Sequence, residues 1–195
     1  MATVATRMTD KEFLDLAPED RKVELLDGEM LMASPASTPH EELFAFLFEI
    51  LRLYVREKDL GRVLGSRTAM RLSESDVYEP DIVFVSTAHE NRIQRTFIDG
   101  PADLVVEILS RSTAYFDRGR KLMQCALAGV HEYWLLDPDQ RIAEFYRLSE
   151  GRYARVPVAD DDLYHSEAAP GFWLRIEWLW TQPKPLTIAR ELGLI

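Results

Sequence analysis

The string "DLVVEILS" at residues 103–110 alternates, so that Leu104, Val106 and Ile108 share one face of an extended strand and Val105, Glu107 and Leu109 share the other. Both faces are apolar, the pattern of a central strand covered on each side. A chain built around such a strand must place layers of structure above and below a sheet. Glu107 breaks the pattern, because an isolated ionised carboxylate in that position is costly unless it is paired or holds a metal. The stretch "YEPDIVFV" at 78–85 poses the same problem. There Asp81 follows Pro80 at the start of a run in which Ile82 and Phe84 alternate with Val83 and Val85.

The surrounding pattern supplies the covering layers. Thr9 with Glu12 three residues on is a capping-box signature and predicts a short first helix. Asp27-Gly28 between two apolar runs predicts a β-hairpin. From Thr38 to about Lys58, apolar residues recur at helical spacing and predict the longest helix, lying over one sheet face. "GRVLGSRTAMRLS", "PDIVFVST" and "ADLVVEILS" read as three strands. A helix follows, with Thr113 near its start and Gly129 near its end. Strands joined at Asp137-Pro138-Asp139 and around Glu150-Gly151 come next, then an apolar strand "FWLRIEWLW" and a short final helix. With 195 residues and no repeat or linker, the expectation is one domain over residues 1–195, of α/β or α+β class.

A formal net charge of −10 argues against a protein that coats duplex nucleic acid with its whole surface. It leaves room for an acidic site that attracts phosphate after metal loading. No apolar run approaches the roughly 18–20 residues that span a bilayer, and the N-terminus lacks a signal-peptide core, so a cytoplasmic location is expected. The single cysteine, Cys125, excludes an intramolecular disulfide and a cysteine-based zinc cluster. His40 reads as a capping or surface residue near a helix start, and His89, His131 and His165 show no metal-ligand spacing.

Two acidic groups on neighbouring strands, aimed at one point, form a hard oxygen-donor site of the kind that holds magnesium or manganese. The alternative is structural, with Asp81 capping a strand or turn and Glu107 pairing with an arginine. Downstream lie Arg111, Arg118, Arg120 and Lys121, with Asp117 four residues before Lys121 on the same helix face. That spacing allows an exposed ion pair. It also allows a lysine that reaches back over the end of the Glu107 strand to orient water or stabilise charge on phosphorus.

These segments resemble the Uma2 (DUF820) family of restriction-endonuclease-like proteins, within the PD-(D/E)XK nuclease superfamily. The resemblance rests on "EPD" at 79–81, "DLVVEILSRST" at 103–113, "DRGRKL" at 117–122, "AGVHEYWLLDP" at 128–138 and, upstream, "VELLDGEMLMASPASTPHEELF" at 23–44. It implies a restriction-endonuclease-like fold, a mixed central β-sheet flanked by helices, with the active site at one sheet edge. Asp81 then matches the aspartate of the "PD" element and Glu107 the acidic residue of "(D/E)XK". The lysine two positions after Glu107 is absent, since Leu109 stands there, and the family pattern points to Lys121 as its relocated equivalent. Glu24 matches a further acidic position, as an added metal or water ligand or a strand-edge carboxylate. Where the family commonly carries tyrosine, four residues after the helix lysine, this chain has Cys125, which can pack but cannot replace a hydroxyl hydrogen bond.

The resulting expectation is a hydrolase that cuts DNA phosphodiester bonds with Mg2+ or Mn2+ held by Asp81 and Glu107, assisted by Lys121 and Glu24, with Arg111, Arg118 and Arg120 as phosphate contacts. A homodimer is expected by analogy with nucleases that cut two strands. The rival is a noncatalytic nuclease-like scaffold that binds a partner or nucleic acid, which the net charge, Leu109 and Cys125 favour. A two-carboxylate glycosidase would need an aromatic-lined sugar cleft that the sequence does not announce.

Overall fold

The computed structural model describes residues 7–18, 20–110, 113–158 and 161–195. Helix α1 (Asp10–Leu16) starts where its capping box places it: the Thr9 hydroxyl accepts the Glu12 N–H, and the Glu12 carboxylate accepts the Thr9 N–H at 2.8 Å. Strands β1 (Val23–Leu26) and β2 (Glu29–Met32) form the expected hairpin. Its turn has φ of 53° at Asp27 and 76° at Gly28, the two left-handed positions that a two-residue turn of this hand needs. A Cβ at Gly28 would lie 2.6 Å from Arg7 Cβ, so glycine is required sterically as well. Helix α2 (Thr38–Glu57) is capped by Ser37 and buries Leu43, Phe46, Leu47, Ile50, Leu51 and Tyr54 along one stripe.

The next segment departs from the predicted pattern. "GRVLGSRTAMRLS" is two strands, β3 (Gly61–Gly65) and β4 (Ala69–Ser73), which belong to different sheets. Arg67, at φ 78°, turns the chain between them, and alternation alone cannot reveal such a change of sheet. Strand β5 (Asp76–Tyr78) precedes β6 (Ile82–Ser86), and β7 (Phe97–Asp99) precedes β8 (Leu104–Ile108). The three-residue strands β5 and β7 are too short for their periodicity to be visible in the sequence.

After β8 the chain forms α3 (Ala114–Phe116), a π-helical turn (Asp117–Lys121) and α4 (Leu122–Ala128), which ends at Gly129 with φ 94°. It then returns as β9 (Glu132–Asp137), parallel to β8, and continues into β10 (Ile142–Ser149) and β11 (Arg152–Val156). Strands β12 (Leu163–His165) and β13 (Trp173–Arg175) form a small hairpin. From Ile176 the predicted apolar strand is instead helix α5 (Ile176–Thr181), followed by α6 (Pro185–Glu191). A nine-residue apolar run satisfies both periods, and packing decides between them.

Among the described residues, the mixed central sheet is two mixed sheets. One has the order β2-β1-β5-β4-β7 and the other β11-β10-β9-β8-β6-β3. All five residues of β8 are buried. Leu104, Val106 and Ile108 pack in a core with α2, Trp134 and Phe172, whereas Val105 and Leu109 pack in a second core with Met70, Tyr78 and Cys125. The two-faced reading of "DLVVEILS" therefore holds. The segment Glu79-Pro80-Asp81 carries the chain from the first sheet at β5 to the second at β6, and this junction positions the site.

Candidate active site

Strands β6 and β8 run antiparallel with Ile82 opposite Val106 and Val83 opposite Val105. One step further, the same register sets Asp81 against Glu107. Both face the side of the sheet that holds Val83, Val105 and α4, as alternation from Val83 and Val105 requires. The Ile108 N–H donates to Asp81 Oδ2 at 2.8 Å, fixing the Asp81 carboxylate to the backbone of the Glu107 strand.

Lys121 lies at the end of the π-helical turn, and its side chain is only 2% exposed. Its Nζ is 2.7 Å from Glu107 Oε1, 2.6 Å from Glu24 Oε1 and 3.7 Å from Asp117 Oδ1. The widened turn is accompanied by a hydrogen bond from the Tyr133 hydroxyl to the Asp117 carbonyl at 3.2 Å. Single π-turns within helices are often found at functional sites. Glu24, on β1, also accepts the Glu79 N–H at 2.7 Å, so one carboxylate ties the first sheet to the junction and to the helix lysine. Asp117 and Lys121 are thus a buried pair and not the solvated one that their spacing alone allows.

Two further residues complete the cluster. Lys22 Nζ donates to Asp81 Oδ1 at 2.8 Å, and His40 Nε2 lies 3.3 Å from Asp81 Oδ2. His40 comes from the first turn of α2 and is buried, not a surface residue. Sequence reasoning missed Lys22, although a signal was there: residues 22 and 24 share a face on an extended chain entering β1, so a site at Glu24 implicates its neighbour two positions back.

These groups line a cleft of about 310 Å3 that contains Lys22, Glu24, His40, Asp81, Glu107, Asp117 and Lys121, along with Arg21, Glu41 and Ser110. Two of the three predicted phosphate contacts are elsewhere. Arg118 is paired with Glu144 and Arg120 with Asp27, and neither lines the cleft. Arg111 lies outside the described residues. Cys125 is fully buried in the second core, so it fills space at its position on the helix.

Burial opposes ionisation of Asp81, but Lys22 and His40 outweigh it and hold the carboxyl well below the usual carboxylate range. Burial pushes Glu107 well above that range against the opposing charge of Lys121, with Asp117 and Asp81 adding to the rise. Burial likewise raises Asp117. Lys121 resists deprotonation despite burial because Glu107, Glu24 and Asp117 surround it. The two central acids are therefore unequal: Asp81 is the ionised one, and Glu107 is the one that burial drives towards its neutral form.

Several features fit a hard divalent cation. Asp81 and Glu107 supply oxygen donors at the cleft. Glu107 Oε1 is buried and meets Lys121 Nζ as an ion at 2.7 Å, with no further hydrogen-bond partner. Fully ionised, the carboxylates of Glu24, Asp81, Glu107 and Asp117 exceed the ammonium groups of Lys22 and Lys121 by two charges. Among the described residues no group of three or more His, Cys, Asp or Glu side chains is disposed to hold a metal. Magnesium does not require one, since it is commonly bound by one or two carboxylates, water and substrate phosphate.

The two mixed sheets flanked by helices, joined at an acidic cleft, define a restriction-endonuclease-like fold. A crystal structure at 1.96 Å resolution, described as that of "a putative nuclease belonging to DUF820" from Anabaena variabilis ATCC 29413, matches with a TM-score of 0.75 and 19% identity. The match covers 89% of this chain and 98% of that one, and at such identity it establishes the shared fold. More particularly, residues 10–177 match the Uma2 family, described as "Putative restriction endonuclease", and the chain belongs to that family. Among curated proteins none matches it. No helix among the described residues is long and apolar enough to cross a membrane.

Proposed function

We propose that this protein is an endonuclease that hydrolyses DNA phosphodiester bonds with a divalent cation, magnesium or manganese. The observation that carries this reading is the opposition of Asp81 and Glu107 across the β6–β8 register, beneath an open cleft and with Lys121 Nζ 2.7 Å from Glu107. Membership of Uma2 supports it. Asp81 and Glu107 would hold the cation, which when bound supplies Lewis acidity towards a phosphoryl oxygen and lowers the pKa of its water. Lys121, held by Glu24 and Asp117, keeps a fixed positive charge beside the reacting phosphate and stabilises the charge that develops there. Glu24 orients that ammonium from the opposite sheet.

The test is nicking of supercoiled plasmid with Mg2+ or Mn2+, in wild type and in Asp81→Asn and Glu107→Gln. Metal-dependent nicking that both variants lose supports the proposal. Nicking that survives in both would place the chemistry elsewhere.

One observation favours a second reading, a noncatalytic binding scaffold: both central carboxylates already have lysine partners, Lys22 on Asp81 and Lys121 on Glu107. Metal-loaded protein that retains DNA without cutting it would favour that reading.

A further inference from the structure

We infer that Lys22 is an exchangeable counter-ion of Asp81, which occupies one carboxylate oxygen in the metal-free protein and gives it up when a divalent cation binds. The inference rests on the metal-binding role proposed above for Asp81, and it assigns to Lys22 a part in setting the affinity of that site.

The two oxygens of Asp81 are held differently. Oδ2 accepts the Ile108 N–H at 2.8 Å and faces His40 Nε2 at 3.3 Å, so it is tied to a strand backbone and to the first turn of a long helix. Oδ1 is held by Lys22 Nζ at 2.8 Å, on a flexible four-carbon stem that enters from the residue before β1. A ligand that needs an Asp81 oxygen can gain Oδ1 by displacing one side chain. Gaining Oδ2 would require the β8 backbone to move.

The two lysines of the cleft differ in the same way. Lys121 is 2% exposed and has Glu24, Glu107 and Asp117 around its ammonium, so moving it would strand three acids. Lys22 is 22% exposed and has a route to solvent along the cleft it lines. Its contact with Asp81 has a purpose in the metal-free protein, because two acids so close together in a buried site repel each other unless a cation intervenes. The same contact must be broken when a metal takes that place, and this lowers the apparent metal affinity.

Two consequences separate this role from a plain structural ion pair. Removing the Lys22 charge should weaken the metal-free fold and strengthen metal binding together, whereas a structural pair would only weaken the fold. Calorimetric titration with Mn2+ alone tests this on the full chain, in wild type, Lys22→Met, Lys22→Arg and Arg62→Met. Arg62, an exposed base paired with Glu90 and outside the cleft lining, controls for general surface charge. Lys22→Met should bind Mn2+ about tenfold or more tightly than wild type, the scale expected for a unit charge removed from beside a divalent ion. Lys22→Arg should stay near wild type, and Arg62→Met should change by less than about twofold because exposed charges are screened. The melting temperature of Lys22→Met without metal should fall, and saturating Mn2+ should raise it by more than it raises wild type.

Unchanged affinity in a folded Lys22→Met, with wild type binding Mn2+, would overturn the inference and leave the metal site standing. Equal tightening in Arg62→Met would also overturn it, as a general charge effect. Absence of Mn2+ binding in wild type and Lys22→Met alike would remove the metal site and this inference with it. If Lys22→Met does not fold, Lys22→Gln provides the same neutralisation with a polar end, and the same affinity comparison decides.

Discussion

Lys121 Nζ stands 2.6 Å from Glu24 Oε1, and this contact joins a helix of the six-stranded sheet's βαβ unit to β1 of the five-stranded sheet. One buried ammonium thus links two sheets and offsets part of the charge of an acidic cluster. Lys121→Met keeps the bulk and removes the charge, leaving Glu24, Glu107 and Asp117 without their common partner. The expected cost is about 3–5 kcal/mol, the range for breaking a buried ion pair from one side. The sign with pH follows from the acids left behind. Burial already raises Glu107 and Asp117, and without Lys121 their folded-state pKa values rise further above the unfolded ones. Such groups stabilise the fold below the unfolded pKa and lose that contribution as pH rises through the folded one. Chemical denaturation should therefore show a deficit that is largest at neutral pH and shrinks towards pH 4. A deficit independent of pH would mean that the lysine matters for packing alone.

Asp76 shows how a buried carboxylate looks when its role is structural. It accepts from the Asp27 N–H at 3.2 Å and from the hydroxyls of Ser73, Ser75 and Tyr78 at 2.8, 2.9 and 2.8 Å, so each oxygen is satisfied. Burial opposes its ionisation, but those donors prevail and its pKa lies below the ordinary value of 3.8. Asp76→Asn places an amide among donors and should cost about 2–3 kcal/mol at neutral pH, on the scale of hydrogen bonds to a charged group. A depressed folded pKa contributes stability above the unfolded value and loses it as pH falls through the folded one. The penalty in Asp76→Asn should accordingly diminish below about pH 4, where wild type loses the same contribution. Equal denaturation midpoints for the two proteins at pH 7 would refute this.

The elements with strong local signals were legible. Thr9 and Glu12 marked α1, Asp27-Gly28 marked the first hairpin, and the apolar stripe from Leu43 to Tyr54 marked α2. The pair Asp81 and Glu107 was also legible, because a carboxylate in an apolar strand stands out against the alternation. What stayed hidden depends on distance in three dimensions. No local pattern says that β3 and β4 part into different sheets, or that Arg118 and Arg120 turn to Glu144 and Asp27. His40 and Lys22 reach Asp81 across 41 and 59 residues of chain, and only the folded junction brings them there. The π-helical turn was invisible for a related reason: the sequence from Thr113 to Gly129 reads as an uninterrupted helix, and the widening registers only when Lys121 is seen to face Glu24.

Cys125 tests how closed the second core is. The thiol is fully buried beside Val105, Leu109 and Tyr133, and burial raises its pKa well above the ordinary 9.0. Reaction requires the exposed thiolate, so a disulfide reagent at pH 8 should label native protein only as fast as the chain opens. Labelling within seconds of mixing, with the fold intact by circular dichroism, would show that α4 moves away from the sheet in the native state.

The opposition of Asp81 and Glu107 makes them equals in register and unequals in energy. Asp81 is ionised and held by the Ile108 N–H, Lys22 and His40, so Asp81→Asn removes charge-assisted contacts and should lower stability by about 2–4 kcal/mol. Glu107 is the carboxyl that burial drives towards neutrality, and Oε1 has no hydrogen-bond partner beyond its ion pair with Lys121. Glu107→Gln therefore exchanges a strained charge for a neutral group of the same size, and Lys121 keeps Glu24 and Asp117. Its stability should stay within about 1 kcal/mol of wild type or exceed it. Both variants should lose metal-dependent nicking, so the pair separates function from folding: one variant is inactive and weakened, the other inactive and sound. The decisive measurement is Glu107→Gln, by thermal melting and plasmid nicking on the same preparation. Retained activity would remove Glu107 from the chemistry, and lost folding would return it to a structural role.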